Sequence, residues 1–313
     1  MTHSFSPRLP RPRGIHIALL AALAALAAAG GNAQAASLSI ATYNIHHAAG
    51  ADNVVDLDRI AGVMSGLDAQ IIGLQENDMA NGRTGFVHQP NELAAMMSAR
   101  TGSVWQALSA PAINYQGGQY GNAILFDTGA LSLQSFKVLG LPDPAGDGAR
   151  SAGLAVFELA GTRFQFATTH LTHRNQASQT VPGSTVQIDS MNLIDAAIDR
   201  TLPAVVNGDF NAGPASASMA HWQSLGWRID SPTDVPTLEG GTQAIDFNTS
   251  LGADAWQVTG NRVVTGGLAA VASDHFPVVT TYNIPAVPEP GTYALMLCGA
   301  GVLAAVARRR PGR

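Results

Sequence analysis

Residues Ala204-Val205-Val206-Asn207-Gly208-Asp209-Phe210-Asn211 form a short apolar run that is followed directly by polar side chains. The apolar start is typical of a buried strand. In an extended chain, Asp209 and Asn211 then lie on the same side, two residues apart. A carboxylate and a carboxamide in this arrangement can together hold and deprotonate a water molecule. The alternative is an Asx turn that only closes the strand.

Similar apolar runs lie on both sides of this segment. They predict strands at 37–46, 70–76, 121–126, 152–159, 164–170, 204–210 and 277–284. Apolar residues with helical spacing occur between them, near 57–64, 93–97 and 188–198. Clusters of Gly, Pro, Asn and Asp predict loops near 80–90, 111–119, 140–149 and 229–244. Helices between strands, with some strands joined directly, predict a layered α/β sandwich with mixed sheets.

The polar residues that could carry chemistry fall at the ends of these predicted strands or in loops that enter them. They are Asn44, Glu76, His170, Asp209 with Asn211, and Asp274 with His275. Strand ends are places where a rigid scaffold can bring several side chains to one point. We therefore expect a single site at one edge of the fold.

Glu76 ends the run Ile71-Ile72-Gly73-Leu74-Gln75-Glu76, which is too apolar to hold an acid without a partner. A metal ion is the simplest partner for a buried carboxylate. The neighbouring candidate ligands are Asn and Asp oxygens, and no two histidines are spaced by four residues as on a zinc-binding helix. This set of donors predicts Mg²⁺ or Mn²⁺ rather than Zn²⁺.

The stretch Ser273-Asp274-His275-Phe276-Pro277 precedes the last predicted strand. A histidine that faces a phosphate is commonly oriented by an aspartate from elsewhere in the chain. Asp246, in Ile245-Asp246-Phe247, is the candidate for that aspartate. The alternatives are a histidine with ordinary hydrogen bonds and an aspartate that caps a strand. Arg83 and Arg150 are candidate contacts for a substrate phosphate, with plain surface arginines as the alternative.

The N-terminal segment has the composition of an export signal. Three arginines at positions 8, 11 and 13 precede an apolar run at 15–29 and then Ala33-Gln34-Ala35. This order predicts a signal peptide over residues 1–35 that is cleaved after Ala35. A buried Ala/Leu-rich helix is the alternative. The domain that remains, residues 36–286, is long enough for one large core.

The C-terminal segment 287–313 begins with Val287-Pro288-Glu289-Pro290. An almost uncharged stretch at 293–306 and the arginines 308–310 follow. About 14 apolar residues are fewer than the roughly 20 that span a bilayer, which favours a transient anchor over a permanent membrane helix. The arginines would stay on the cytoplasmic side. An ordinary C-terminal core helix is the alternative.

The charge of the domain limits its possible partners. Residues 36–286 carry 10 Lys and Arg against 21 Asp and Glu, a formal net charge of −11. A protein that binds a run of phosphates normally displays a basic surface, so tight nucleic-acid binding is disfavoured. A nuclease remains possible because bound divalent cations can supply positive charge. The only cysteine, Cys298, lies in the C-terminal segment, so the domain is expected to have no disulfide.

Seven segments together resemble the ordered motifs of the endonuclease/exonuclease/phosphatase family. They are Thr42–Ile45, Leu74–Glu76, Gln119–Leu125, Thr169–Leu171, Gly208–Asn211, Ile245–Phe247 and Ser273–Pro277. The family includes pancreatic-type deoxyribonucleases, abasic-site endonucleases, bacterial sphingomyelinases and inositol-polyphosphate phosphatases. Residues 287–313 resemble the PEP-CTERM sorting tail of exported Gram-negative proteins.

This resemblance implies a fold, a reaction and residue roles. The fold is a four-layer α/β sandwich, with two packed mixed sheets flanked by helices, and the reaction is divalent-metal-dependent hydrolysis of a phosphoester, chiefly a phosphodiester. Asn44, Glu76 and Asp274 would bind Mg²⁺ or Mn²⁺, and Asp209 with Asn211 would hold the attacking water. His275, supported by Asp246, would contact the phosphate or transfer a proton. His170 matches a second active-site histidine, and Tyr120 lies where abasic-site enzymes use a tyrosine.

The sequence departs from the family pattern in two places. The fourth strand continues as Phe126-Asp127 where many members have Ser-Arg. The Arg-x-x-Gln that often opens the helix after His170 is not evident.

Three functions stay open at this point: hydrolysis of a lipid headgroup or other small phosphodiester, an extracellular nuclease, and a catalytically inactive surface or matrix binding protein. The expected partners are the phosphoester substrate, a processing protease at the tail and, transiently, the inner membrane. The chain is expected to be a monomer in the periplasm, on the outer surface or in the extracellular matrix.

Overall fold

The computed structural model describes residues 35–143 and 150–285. The strands in this part of the chain are β1 Ala36–Asn44, β2 Ile71–Met79, β3 Trp105–Tyr115, β4 Gly118–Asp127, β5 Ser132–Leu141, β6 Arg150–Leu159, β7 Thr162–His170, β8 Ala204–Asp209, β9 Arg228–Ile229, β10 Asp246–Leu251, β11 Gln257–Val263 and β12 Val278–Ile284. The α-helices are α1 Leu57–Ser65, α2 Gln89–Thr101, α3 Val186–Ala197, α4 Ala217–Ser224 and α5 Ala269–Ala272.

The strands form two six-stranded sheets. One has the order β11-β12-β1-β2-β4-β3, and the other has the order β5-β6-β7-β8-β10-β9. The pairs β1–β2 and β7–β8 are parallel, whereas their other neighbours are antiparallel. The prediction of mixed sheets is therefore confirmed.

The two sheets pack face to face, and helices cover their outer faces. The core between the sheets is apolar and includes Leu38, Ile40, Ile71, Ile124, Phe157, Phe164, Phe166 and Val205. Helices α1, α2 and α5 pack on the first sheet through residues such as Ile60, Leu93 and Ala272. Helices α3 and α4 pack on the second through Met191, Ile194, Met219 and Trp222. These four layers confirm the predicted sandwich.

Local sequence explains where several helices begin. The side chains of Asp56, Thr185 and Ser216 each accept a hydrogen bond from a backbone N–H in the first turn of α1, α3 and α4. Such N-caps satisfy donors that have no partner inside the helix. Helix α2 ends at Thr101, and Gly102, which follows it, adopts the left-handed conformation common after a helix.

One predicted loop was wrong, and five strands were missed. The segment 111–119 belongs to a hairpin of β3 and β4, in which the register shifts between Pro111 and Ile113. The proline and the bulge remove the alternation that marks a strand. Strands β5 and β11 lie at sheet edges with many exposed residues, so their sequences show little apolar patterning. Strands β9 and β10 were also missed.

Near one edge of the sandwich the contacts between the sheets become polar. Gln75 Nε2 donates to Thr168 Oγ1 at 2.9 Å, and Asn207 Nδ2 donates to the carbonyl of Ala41 at 2.8 Å. The sheets approach closely at Gly73, where an added Cβ would lie 2.2 Å from Asn207 Oδ1. Directional hydrogen bonds and a residue without a side chain therefore set the spacing of the sheets here.

In the part of the chain that the structure describes, no helix is long and apolar enough to cross a membrane. The predicted transient anchor at 293–306 and residues 1–34 of the predicted signal peptide lie outside the described residues.

Gly73→Ala should lower the free energy of unfolding by about 1–3 kcal/mol, because the new methyl group overpacks the polar layer between the sheets. Urea denaturation of the mature protein measures the change. Gly140→Ala is the matched control, since Gly140 also lies in a strand but has no atom within 4 Å of its added Cβ. Equal stability of Gly73→Ala and the wild type would show that the close approach is not required.

Candidate active site

Strand ends from both sheets bring the predicted site residues to the polar edge of the sandwich. Asn44 ends β1, His170 ends β7 and Asp209 ends β8. Asp246 begins β10, which runs antiparallel to β8, and it pairs directly with Asp209 in the register. Asp274 and His275 precede β12, the antiparallel neighbour of β1. The C-terminal ends of β1, β7 and β8 therefore meet the N-terminal ends of β10 and β12 at one place.

Asp209 is buried at the centre of this group. Its Oδ2 accepts a hydrogen bond from Asn44 Nδ2 at 3.2 Å and lies 3.4 Å from His170 Nε2 and 3.7 Å from His275 Nε2. Its Oδ1 accepts from the backbone N–H of Asn211 at 2.9 Å. The carboxylate thus connects four of the predicted residues.

Gly208 permits the backbone path that places Asp209. Its φ is 147°, and a Cβ there would lie 1.9 Å from the carbonyl oxygen of Thr169 in β7. Only a residue without a side chain fits this close approach of two strands.

Burial governs the charges of the site. It raises the pKa of Asp209 to about 7, with a further increase from Asp246, whereas His275 opposes the change. Burial alone would lower the pKa of His275, but Asp246 and Asp209 outweigh it and raise that pKa to about 10. His275 Nδ1 lies 2.9 Å from Asp246 Oδ2. The predicted pairing of His275 with Asp246 is therefore present, with His275 as the cation at neutral pH.

His170 is neutral at the same pH. Burial and the nearby positive charge of Arg150 hold the pKa of His170 well below its usual value. One guanidinium nitrogen of Arg150 lies 3.4 Å from His170 Nδ1. The site therefore contains one charged and one neutral imidazole on two sides of Asp209.

Glu76 lies beside this group because strand β2 is irregular. The register of β2 shifts between Leu74 and Asn77, and Glu76 has a φ of 62°. Its Oε1 accepts a hydrogen bond from Asn44 Nδ2 at 3.1 Å. The Tyr120 hydroxyl donates to Glu76, and burial together with the Glu76 charge raises the pKa of Tyr120 well above its usual value. Tyr120 therefore remains a hydrogen-bond donor.

Asp274 lies at the mouth of the site, with 44% of its side chain exposed. Its Oδ1 is 3.8 Å from His46 Nδ1. The loop that carries Asp274 is attached to β1, since Ser273 Oγ donates to the carbonyl of Asn44 at 2.8 Å. Of the three predicted metal ligands, Asn44 contacts Glu76 directly, and the loop that carries Asp274 is attached to Asn44 through Ser273.

The two candidate phosphate contacts occupy different environments. Arg150 lies beside His170, as described above. Arg83 forms two hydrogen bonds to the buried carboxylate of Asp78, from Nε at 2.9 Å and from Nη2 at 2.6 Å. Its guanidinium carbon is 5.0 Å from the Tyr115 ring centroid and 5.3 Å from that of Tyr120. The Arg83 guanidinium therefore packs against the rings of Tyr115 and Tyr120, and one of its edges is bound to Asp78.

Gln187 also shapes the site, although it was not predicted from the sequence. Gln187 Nε2 donates to the carbonyls of Thr172 and Asn211 at 2.8 and 3.1 Å, and Gln187 Oε1 accepts from Ser218 Oγ at 2.7 Å. Gln187 lies in the first turn of α3 and Ser184 precedes it by three residues, so the chain has the glutamine of an Arg-x-x-Gln pattern without the arginine. Gln187 is one of several polar residues in α3, so the sequence alone did not distinguish it.

His46 and His47 were also missed. They lie in the turn His46–Ala48, where all three residues have positive φ. Each offers a ring nitrogen within 4.8 Å of the other's and of a Glu76 carboxylate oxygen. Burial, and then the charge of Arg83, lower the pKa of His47 to about 4.

A model of the Endonuclease/Exonuclease/phosphatase family matches residues 41–276, and the chain belongs to this family. Members of the family are hydrolases that act on phosphoesters. A model of the PEP-CTERM protein-sorting motif matches residues 286–310. No curated protein sequence matches the chain significantly.

Solved structures share the fold at low sequence identity. An endonuclease/exonuclease/phosphatase from Beutenbergia cavernae is 22% identical, with a TM-score of 0.64 over 80% of this chain and 72% of that one. The mannosyl-6-phosphatase of Bacteroides thetaiotaomicron is 18% identical, with a TM-score of 0.58 over 78% and 99%. The catalytic domain of human Nocturnin is 17% identical, with a TM-score of 0.59 over 79% and 94%.

Proposed function

We propose that the chain is an exported, divalent-metal-dependent hydrolase of phosphodiesters. The observation that carries the proposal is the position of Asp209, which lies within 3.7 Å of donor nitrogens of Asn44, His170 and His275. A carboxylate that accepts a proton from water, with a cationic imidazole next to it, suits attack on a phosphorus centre.

Mg²⁺ or Mn²⁺ is the proposed cofactor. Glu76 and Asp274 offer carboxylate oxygens, which are ligands that hard cations take. Asn44 would bind through its amide oxygen, Oδ1, which in the structure accepts a hydrogen bond from the backbone N–H of His46. Such a cation, when bound, supplies positive charge to the oxygens of the phosphoester.

The protein's own residues supply the remaining steps. Asp209 and Asn211 orient the water and Asp209 accepts its proton. His275, held by Asp246, donates a hydrogen bond to a phosphoryl oxygen, and neutral His170 fixes the position of the Asp209 carboxylate. Arg150 and Tyr120 line the side on which the substrate enters. Every residue in this scheme comes from one chain, so the proposal requires only a monomer.

The proposed substrate is a lipid headgroup or another small phosphodiester, and the charge of the domain supports this choice. A formal net charge of −11 repels the long phosphate backbone of a nucleic acid. A small ester presents only one or two charges, which the site itself can neutralise.

The proposed location follows from the two ends. The N-terminal segment has the pattern of a signal peptide, and the matched sorting motif covers residues 286–310. We propose that a processing protease cleaves near Pro288-Glu289-Pro290 after transient anchoring in the inner membrane. The product would be released to the periplasm, the outer surface or the extracellular matrix.

Removal of divalent metal should abolish activity. With EDTA the mature protein should not hydrolyse any of four substrates: sphingomyelin, phosphatidylinositol, an aryl phosphodiester and plasmid DNA. Added Mg²⁺ or Mn²⁺ should restore hydrolysis of at least one of the first three. Full turnover without metal would contradict the mechanism, and exclusive cleavage of DNA would favour the nuclease.

Asp209→Asn, Glu76→Ala and His275→Ala should each reduce kcat by at least about a hundredfold, because each removes a proton acceptor or a charge that stabilises the transition state. Steady-state kinetics on the preferred substrate measures the loss, and circular dichroism checks that the variants fold.

The controls change the same residue types outside the site. They are Asp234→Asn and Glu92→Ala at exposed positions and His221→Ala at a partly exposed one. These controls should retain wild-type rates. A wild-type rate in one of the three site variants would show that its role is misassigned.

Processing should leave a trimmed chain. Intact-mass analysis of the protein from its native host should find a species that begins after Ala35 and ends near 287–290. A soluble cytoplasmic species that retains Met1 or the arginines at 308–310 would contradict the proposed export.

A further inference from the structure

A cluster of three possible metal ligands lies next to the proposed reaction centre. His46, His47 and Glu76 each offer a ligand atom, and these atoms lie within 4.8 Å of one another. Two ligands that bind one ion at about 2.1 Å lie at most roughly 4.2 Å apart. Small side-chain rotations that move the ligand atoms by a few tenths of an ångström would therefore let all three bind one ion.

The backbone explains how adjacent histidines act together. On a regular strand their side chains would point to opposite faces. Here the φ values of His46 and His47 are 46° and 45°, and the two ring centroids are only 4.6 Å apart. The turn after β1 thus places both imidazoles next to Glu76.

Buried contacts hold this turn in place. The backbone N–H of His46 donates to Asn44 Oδ1 at 3.0 Å. Gln89 is fully buried, and its Nε2 donates to the carbonyl of His47 at 2.7 Å while its Oε1 accepts from the backbone N–H of Asp78 at 2.8 Å. Gln89 therefore ties the histidine turn to strand β2, the strand that carries Glu76.

A second observation indicates a ligand at this turn. Within the described part of the chain, Nδ1 of His47 is buried and has no hydrogen-bond partner. Buried polar atoms are normally paired, and a bound ion is one explanation for an orphaned one. His46 extends the cluster to the mouth of the site, since its Nδ1 is 3.8 Å from Asp274 Oδ1.

We propose that His46 and His47 join Glu76 in a mixed imidazole and carboxylate site that selects Mn²⁺ over Mg²⁺. The inference rests on the proposed function because Glu76 is also the proposed ligand of the catalytic cation. Imidazole nitrogen suits transition-metal ions, whereas Mg²⁺ prefers oxygen ligands and retains its water molecules. Two histidines therefore add affinity for Mn²⁺ and little for Mg²⁺.

Binding measurements test the role of each histidine. Isothermal titration of the metal-free mature protein with Mn²⁺, and separately with Mg²⁺, compares the wild type with His46→Ala and His47→Ala. Each substitution should weaken Mn²⁺ binding at least about tenfold and change Mg²⁺ binding less than about twofold, since only Mn²⁺ gains from imidazole. His221→Ala removes a histidine outside the cluster and should change neither affinity. Unchanged Mn²⁺ affinity in both cluster variants would overturn the proposal.

Spectroscopy gives a direct readout of the ligands. Electron spin echo measurements on the Mn²⁺-loaded wild type should show modulation from directly coordinated ¹⁴N. This modulation should disappear in the His46→Ala/His47→Ala double variant and persist in His221→Ala. Absence of ¹⁴N modulation in the wild type would overturn the proposal even if the variants do not fold.

The outcomes separate this inference from the proposed function. Metal-dependent hydrolysis that needs Glu76 but shows no ¹⁴N signal would leave the function in place and remove the role of the histidines. Histidine-dependent Mn²⁺ binding without hydrolysis of any test substrate would leave the metal site in place and remove the function.

Discussion

The burial of the Asp209 carboxylate is the constraint on which the rest of the site depends. An ionised carboxylate out of water is costly unless hydrogen bonds and opposite charges compensate. Here the compensation comes from Asn44 on one sheet, from His170 on the other and from His275 in a loop. The carboxylate is thus stable only when these elements meet, so the position of the sheets and the charge of the site are set by the same contacts.

The sandwich is built differently at its centre and at the edge that carries the site. Aromatic and aliphatic side chains fill the core, where packing tolerates exchange of similar volumes. The layer near the site uses directional contacts instead, such as Gln75 with Thr168 and Asn207 with the Ala41 carbonyl. Hydrogen bonds fix distance and direction together. The hydrogen bonds of this layer therefore fix the positions of the strand ends more precisely than apolar packing would.

The sequence alone allowed prediction of the layers and of most residues that meet at the site. Those residues end apolar strands, and period-two patterning shows where such strands stop. Edge strands such as β5 were missed because half-exposed residues lack that pattern. His46 and His47 were missed because their convergence depends on positive φ values, and Gln187 because its partners are backbone carbonyls distant in sequence. Apolar periodicity in the sequence indicates which residues are buried. It does not indicate the backbone conformation on which these contacts depend.

The acidity of the domain limits the positive charge available at the site, which comes from His275 and Arg150 and, under the proposed function, from a bound cation. Several of the ten basic residues are already paired, as Arg59 is with Asp52, Arg100 with Asp58 and Arg200 with Asp195. Arg83 is engaged by Asp78 close to the site itself. These ion pairs leave fewer arginines to contact a phosphoester. His275 carries its charge because Asp246 and Asp209 stabilise it. An excess of acid is therefore compatible with the proposed phosphate chemistry, because carboxylates hold His275 as a cation and, under the proposed function, would also attract a metal ion.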